Sequence, residues 1–222
     1  MENENMMCDG SGGVKYDVIS TVAELRELYD APRQMVIDKQ QDRLDQYSEH
    51  FLQLSPFSVL STASASGVMD CSPKGDYPGF IKVLDNKTIA IPDRPGNNRL
   101  DSITNIVENP QIGVLLMVPG FGECLRINGE ACIATNKSLL EQFEYQGKLP
   151  KSVIVVAIKE VYFHCAKAIA RSQLWKETAQ VDRTVMPSLG RIIMAQINAE
   201  AKEEEVRAIE EGVEERLKTT LY

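Results

Sequence analysis

Residues 91–101, IPDRPGNNRLD, hold two arginines, two asparagines, two prolines and a glycine directly after an apolar run. Arg94 and Arg99 carry planar guanidinium groups that can fork onto a phosphate or carboxylate. Asn97 and Asn98 add amide donors without another charge to desolvate. The segment joins a predicted strand ending at Ile91 to a predicted helix starting near Leu100. Its last residues therefore lie at a helix N-terminus, where unpaired N–H groups and the positive end of the dipole favour an anion. The chemistry predicted for this spacing is phosphate binding. The same residues also have an ordinary structural reading: Asn97 as a helix cap, Arg99 paired with Asp101 or Asp93 on the surface, and the prolines shaping a turn.

Other reactive side chains are sparse. The two histidines are His50, in an amphipathic helical stretch, and His164, which alternates with the apolar side chains of a strand. Both read as structural, which makes haem ligation an unattractive function. Cys165 reads as a small buried residue, because no feature that lowers a thiol pKa is evident. Arg126 and Glu130 fit either a lining role or an ordinary exposed pair. No acid–base constellation is visible, so no catalytic residue is assigned.

Composition narrows the class. The 222-residue chain is 25% charged and 43% hydrophobic, enough to bury a core in one domain. Its formal net charge of −8 opposes broad attraction to nucleic acid or anionic membranes, though a local basic pocket can sit in an acidic molecule. The five cysteines include no Cys-x-x-Cys pair, so neither a disulfide framework nor a zinc site is signalled, and a reducing cytoplasm is expected. No window approaches the roughly 18 apolar residues of a membrane helix, and the acidic, polar N-terminus does not read as a signal peptide.

The elements that must position the donor-rich loop follow from periodicity. Residues 1–15 are expected to be disordered. Residues 16–54 read as a helical extension. In STVAELRELY a capping box, Thr21 with Glu24, opens a short helix ending before Pro32, and a second helix is predicted over 33–53. From Pro56 the pattern turns to short β-branched runs: FSVLSTA, VMDCS, FIKVL and KTIAI, with a tight hairpin at Asp85 and Asn86. RLDSITNIVENP predicts one interrupting helix and NKSLLEQFEYQGKLP a second, capped by Ser138 with Glu141. QIGVLLMV predicts a strand buried on both faces, Gly129 within ECLRINGEACIA predicts a bulge or a close backbone approach, and SVIVVAIKEVYFHC supplies the last strand or pair. Residues 188–218 predict a C-terminal helix with Val206, Ile209, Val213 and Leu217 on one packing face. About seven strands with two interrupting helices predict a mainly β, α+β fold: a single domain over 16–222 whose core, 55–175, is a closed or half-open antiparallel barrel.

SPFSVLSTASASG, CSPKGDYPGF and IPDRPGNNRLDSITNIVENPQIG, followed by LRINGEA, resemble the flavin-binding split barrels of the pyridoxamine 5'-phosphate oxidase class. Within it they are most similar to a subgroup of FMN-dependent enzymes sharing the IPDRPGNxRxD pattern, and the resemblance runs from about Val18 to Trp175. It implies an antiparallel split β-barrel with FMN as cofactor. Its phosphate would lie against Asn97 and Arg99, where relatives carry Ser-x-Lys or Ser-x-Arg, with Arg94 and Asn98 nearby. Ile91 and Pro92 would run along the isoalloxazine ring. Ser72 and Lys74 would come from the neighbouring strand, Lys74 standing where relatives place an Arg; a lysine neutralises phosphate but cannot fork onto it. Arg171 and Trp175 would reach the flavin of the partner subunit, since these barrels are homodimers with flavin at the interface. The plain alternative for Trp175 is core or interface packing.

The activity implied is hydride transfer between flavin and a small substrate or NAD(P)H, with a deazaflavin as the second cofactor option. A non-catalytic FMN-binding protein that stores flavin or senses its redox state is the alternative. Vitamin B6 oxidation is not implied, because the Trp-containing strand followed by Arg-x-His-x-Arg is replaced here by VYFHCAKAIARSQLW.

Overall fold

The computed structural model describes residues 16–222; the segment expected to be disordered, 1–15, lies outside the described residues. Contacts group the chain into two units, one up to Lys39 and one from Gln40 onward. The first holds α1 (Val22–Leu28) and α2 (Gln34–Asp38), neither of which has a buried residue. Thr21 caps α1 by accepting from the Glu24 N–H, and the Glu24 carboxylate reaches back to the Ser20 N–H, one residue earlier than the predicted box.

The helix expected over 33–53 is not continuous. After α2 a new start at Asp45, whose carboxylate accepts from the N–H and hydroxyl of Ser48, opens α3 (Gln46–Leu54). The cause is tertiary: Gln41 bridges to Val161 and the Leu44 N–H donates to the Asn86 carbonyl, so the backbone before Asp45 is committed elsewhere. α3 is placed by Phe51 and Leu52, both almost fully buried; each buried side chain is worth about 1.5–3 kcal/mol, more than any propensity difference at one position.

The β-branched runs become β1 (Phe57–Ala63), β2 (Met69–Gly75), β3 (Lys82–Asp85), β4 (Thr88–Pro92), β5 (Gln111–Met117), β6 (Cys124–Ala134) and β7 (Val153–His164). They form one antiparallel sheet in the order β2-β1-β5-β6-β7-β4-β3. The β3–β4 turn is Asn86–Lys87, one residue beyond the predicted pair, with the Lys87 N–H held by the Asp85 carboxylate. One core cluster gathers Leu60 from β1, Leu116 from β5, Ile127 from β6, Val156 from β7 and Ile91 from β4. Strands near both ends of the order thus share a single interior, the arrangement of a split barrel.

Two helices interrupt the sheet: α4 (Asp101–Glu108) and α5 (Lys137–Leu140), the latter one turn that continues as a 3-10 turn over Glu141–Phe143. Asn136, not Ser138, is the cap residue of α5, and its side chain bonds no backbone N–H there. β5 alternates between buried and half-buried positions, so the expectation that both its faces are covered is not met within one chain. In the β6–β7 ladder the register shifts between Asn128 and Gly129, leaving Lys159 as the extra residue of a bulge. A Cβ at Gly129 would stand 2.1 Å from the Ala157 carbonyl oxygen, the close approach the sequence predicts. Past β7 come α6 (Lys167–Ser172), α7 (Leu189–Ile197) and α8 (Glu203–Thr219). The predicted helix over 188–218 is therefore two helices, broken where Asn198 goes extended and turns its side chain onto the Glu200 N–H.

Candidate functional site

β2 is an edge strand whose inward side chains are polar. Its pairing sets Lys74 opposite Ser58, Ser72 opposite Leu60 and Asp70 opposite Thr62, so Asp70, Ser72 and Lys74 share the face that β1 buries. Pro73 is tolerated because the strand pairs on one side only. α4 lies across this polar strip: the Ser102 hydroxyl donates to Asp70 at 2.7 Å and the Asn105 amide to the Thr62 hydroxyl at 3.1 Å. Between β2 and the β4–α4 loop opens a cavity of about 330 Å³. Ser72, Lys74, Pro92, Arg94 and Asn97 all line it, joined by Phe80.

Arg94 is clamped. Its Nε donates to Asp76 Oδ2 at 2.6 Å and its Nη1 to the Phe143 carbonyl at 2.9 Å, while Nη2 is buried with no partner among the described residues. The Asp76 side chain has no exposure, and its other oxygen, Oδ1, accepts from the Tyr77 N–H at 2.8 Å and from the Tyr222 hydroxyl at 2.6 Å. The Tyr222 ring sits 5.3 Å from the Arg94 guanidinium carbon and 4.4 Å from the Tyr145 ring, which itself stacks on Tyr77 at 5.0 Å. Donating to a carboxylate pushes the Tyr222 phenol up to about 12, with burial adding in the same direction. Lys74 is held more loosely, 3.5 Å from Asp93.

The remaining predicted residues lie elsewhere. Arg99 points to solvent, its Nε donating to Asp101 at 2.9 Å, and this exposed contact raises its already high pKa. That is the surface pairing of the structural reading. Asn97 does not cap the helix: the N-cap position is Leu100, and the Asn97 side chain accepts from the Arg99 N–H at 3.0 Å in a local turn. Asn98 is exposed and left-handed at φ 58°, a conformation asparagine tolerates. The Ile91 side chain is fully buried in the core, and its backbone pairs with Ile154.

Arg171 lies on α6, and Trp175 just beyond it donates its indole N–H to the Phe121 carbonyl at 2.6 Å. Pro92 pairs with Val153 at the start of the 12-residue β7, whereas α6 follows its far end. Neither Arg171 nor Trp175 lines the cavity.

Sequence reading missed Asp76, Phe143, Tyr145 and Tyr222. Asp76 lies inside the CSPKGDYPGF motif, but nothing in the pattern marks it as the partner of Arg94. The aromatic residues carry no local signal, since only the fold brings 76, 94, 143, 145 and 222 together. A second, shallower cavity of about 580 Å³ lies on the outer face of β1, β5 and β6, with Ser61, Leu115, Arg126 and Asn128 among its walls. Arg126 lies over the Tyr162 ring, and Glu130 pairs with Lys159 at 3.3 Å.

Among the described residues no helix is long and apolar enough to cross a membrane, and no group of three or more His, Cys, Asp or Glu side chains could hold a metal ion. No curated protein matches the chain. Similar solved structures include HupZ of Group A Streptococcus, at 18% identity and TM-score 0.45 over 54% of this chain and 93% of that one. A putative pyridoxamine 5'-phosphate oxidase from Lactobacillus delbrueckii is 17% identical, with TM-score 0.43, over 55% of this chain and 95% of its own. An FMN-binding protein from Syntrophomonas wolfei is 13% identical, with TM-score 0.41, over 64% and 92% respectively. The family profile described as pyridoxamine 5'-phosphate oxidase matches residues 44–165, a span that takes in all seven strands and both walls of the smaller cavity. The chain belongs to the pyridoxamine 5'-phosphate oxidase family.

Proposed function

We propose that the protein is an FMN-dependent oxidoreductase that moves a hydride between flavin and a small substrate or NAD(P)H. The observation that supports it most is the convergence of Ser72, Lys74, Arg94 and Asn97 on one cavity, beside a buried guanidinium nitrogen that lacks an acceptor. An unmet buried donor is costly unless a ligand meets it, and a phosphate oxygen is a suitable acceptor. The residues fit the phosphate end of FMN. Arg94 lines the cavity, is fixed by Asp76 and has one buried nitrogen uncommitted. Lys74, in a loose ion pair, is the cation able to turn from Asp93 to the incoming anion. Ser72 and the Asn97 amide add neutral donors. When bound, FMN supplies the redox chemistry; the chain supplies binding, orientation and exclusion of water.

The same reading makes the protein a homodimer. The half-buried apolar positions of β5 and the outer cavity need a cover, and a second copy supplies it. Arg171 and Trp175, which do not line the cavity of their own chain, then serve the partner's flavin. Absorbance of the purified protein and anaerobic addition of NADH or NADPH test the reading. Flavin absorbance that bleaches supports it, flavin absorbance indifferent to both donors favours a storage or sensing protein, and a colourless protein that does not take up added FMN sinks both. Lys74→Gln is expected to weaken FMN by at least about tenfold while leaving riboflavin, which lacks the phosphate, unchanged.

A further inference from the structure

Arg94 and Asp76 meet in a way that guanidinium–carboxylate pairs tend not to stay. Nε and Nη2 lie along one edge of the guanidinium and match the two oxygens of a carboxylate in a fork, the favoured closed geometry. Here only Nε bonds to Asp76, through Oδ2. Oδ1 is already taken by the Tyr77 N–H and the Tyr222 hydroxyl, and Nη2 is left buried with no partner. The ring of Tyr222 also stacks over the guanidinium, and its main-chain oxygen accepts from Lys148. Asp76, Arg94, Tyr145 and Lys148 are the charged and titratable groups set against Tyr222.

We propose that Tyr222 is a positioning residue of the phosphate end of the site: by occupying Asp76 Oδ1 it blocks the fork and keeps Nη2 of Arg94 available for an anion. The inference rests on the phosphate reading of the cavity given above. It accounts for an arrangement that is otherwise a defect, a buried donor forgoing an acceptor on the next atom. It also extends the site to the segment after α8, a stretch with no motif and far from β2 in sequence.

Removing only the hydroxyl, Tyr222→Phe, keeps the ring over Arg94 and lets Oδ1 accept Nη2. Titration of the full chain with FMN and with riboflavin, read by flavin fluorescence, separates phosphate binding from ring binding. The expected result is FMN weakened by about tenfold in Y222F, the size of one hydrogen bond to a charged group, with riboflavin unchanged. In an Arg94→Lys background, which retains the charge facing Asp76 but lacks Nη2, Y222F has no further effect on FMN. Equal weakening of both flavins by Y222F, or a lower thermal midpoint with the FMN-to-riboflavin ratio intact, means a general structural role and overturns the proposal. If Lys74→Gln loses FMN selectively but Y222F does not, the cavity stands and the role of Tyr222 is overturned. If neither Lys74→Gln nor Arg94→Lys alters the preference for FMN over riboflavin, the phosphate reading fails and this inference fails with it.

Discussion

Gly129 shows how little room a single position can leave. Adding a methyl group there drives it into the Ala157 carbonyl, a clash with backbone that no rotamer relieves, whereas Gly96 in the β4–α4 loop has nothing within 4 Å of the same added atom. Gly129→Ala is expected to lower stability by about 1–3 kcal/mol and Gly96→Ala to be near neutral, as read by thermal or urea denaturation. Tyr222 gives a second prediction. Its phenol is favoured protonated in the fold, so its contribution is complete below the ordinary value of 10 and disappears as pH rises through about 12. Over that window the thermal midpoint of the wild type is expected to fall more than that of Y222F. At this scale the sequence was legible for chemistry and not for partners. The two loop arginines look alike in the motif, yet Arg94 is seated by Asp76 and Phe143 while Arg99 faces Asp101 two residues on. Which arginine turns inward depends on residues that only the fold brings near.

Helix boundaries were the least legible elements, and the reason recurs. The 33–53 and 188–218 stretches have continuous helical periodicity, but each breaks where a side chain or strand claims the backbone: Asp45 after the Gln41–Val161 bridge, and Asn198 before α8. The second break lets α7 and α8 pack so closely that a Cβ on Gly190 would lie 2.7 Å from the Glu210 Cα. The pair is also tied by charge. Arg191 reaches Glu203 at 2.6 Å and Glu210 at 3.2 Å, and the Ser188 hydroxyl, ahead of Arg191, holds Glu210 below the usual carboxylate range. A depressed carboxyl contributes above its ordinary value of 4.5 and ceases to as pH falls through its lower folded value. Acidification below pH 4.5 is expected to loosen α7 and α8 before the sheet, seen as early amide exchange in those helices, and Ser188→Ala is expected to weaken the acid dependence. Strands were read better because alternation and turn residues are local: β1 runs over the predicted FSVLSTA.

For the molecule as a whole, the strand count, the two interrupting helices and the family were all legible, since each rests on patterns contained within the barrel segment. The face that β5 turns outward was read as buried, and within one chain it is only half covered. The proposed second copy reconciles the two. Leu115→Arg, on that outer face and away from the smaller cavity, is expected to shift the protein to monomers by light scattering after gel filtration. Flavin retention should drop with it, because Arg171 and Trp175 of one chain would no longer reach the other's site.

The extra residue in β7 works like a frameshift in the strand's alternation. Before Lys159 the even positions Ile154, Val156 and Ile158 face the interior; after it the odd positions Val161 and Phe163 do. Forcing Lys159 into the regular pairing would turn the distal half of the strand inside out, sending Glu160 and Tyr162 inward, and would deliver α6, with Arg171 and Trp175, to the opposite side of the sheet. Setting that one residue out of the ladder thus decides on which side of the barrel everything after His164 emerges.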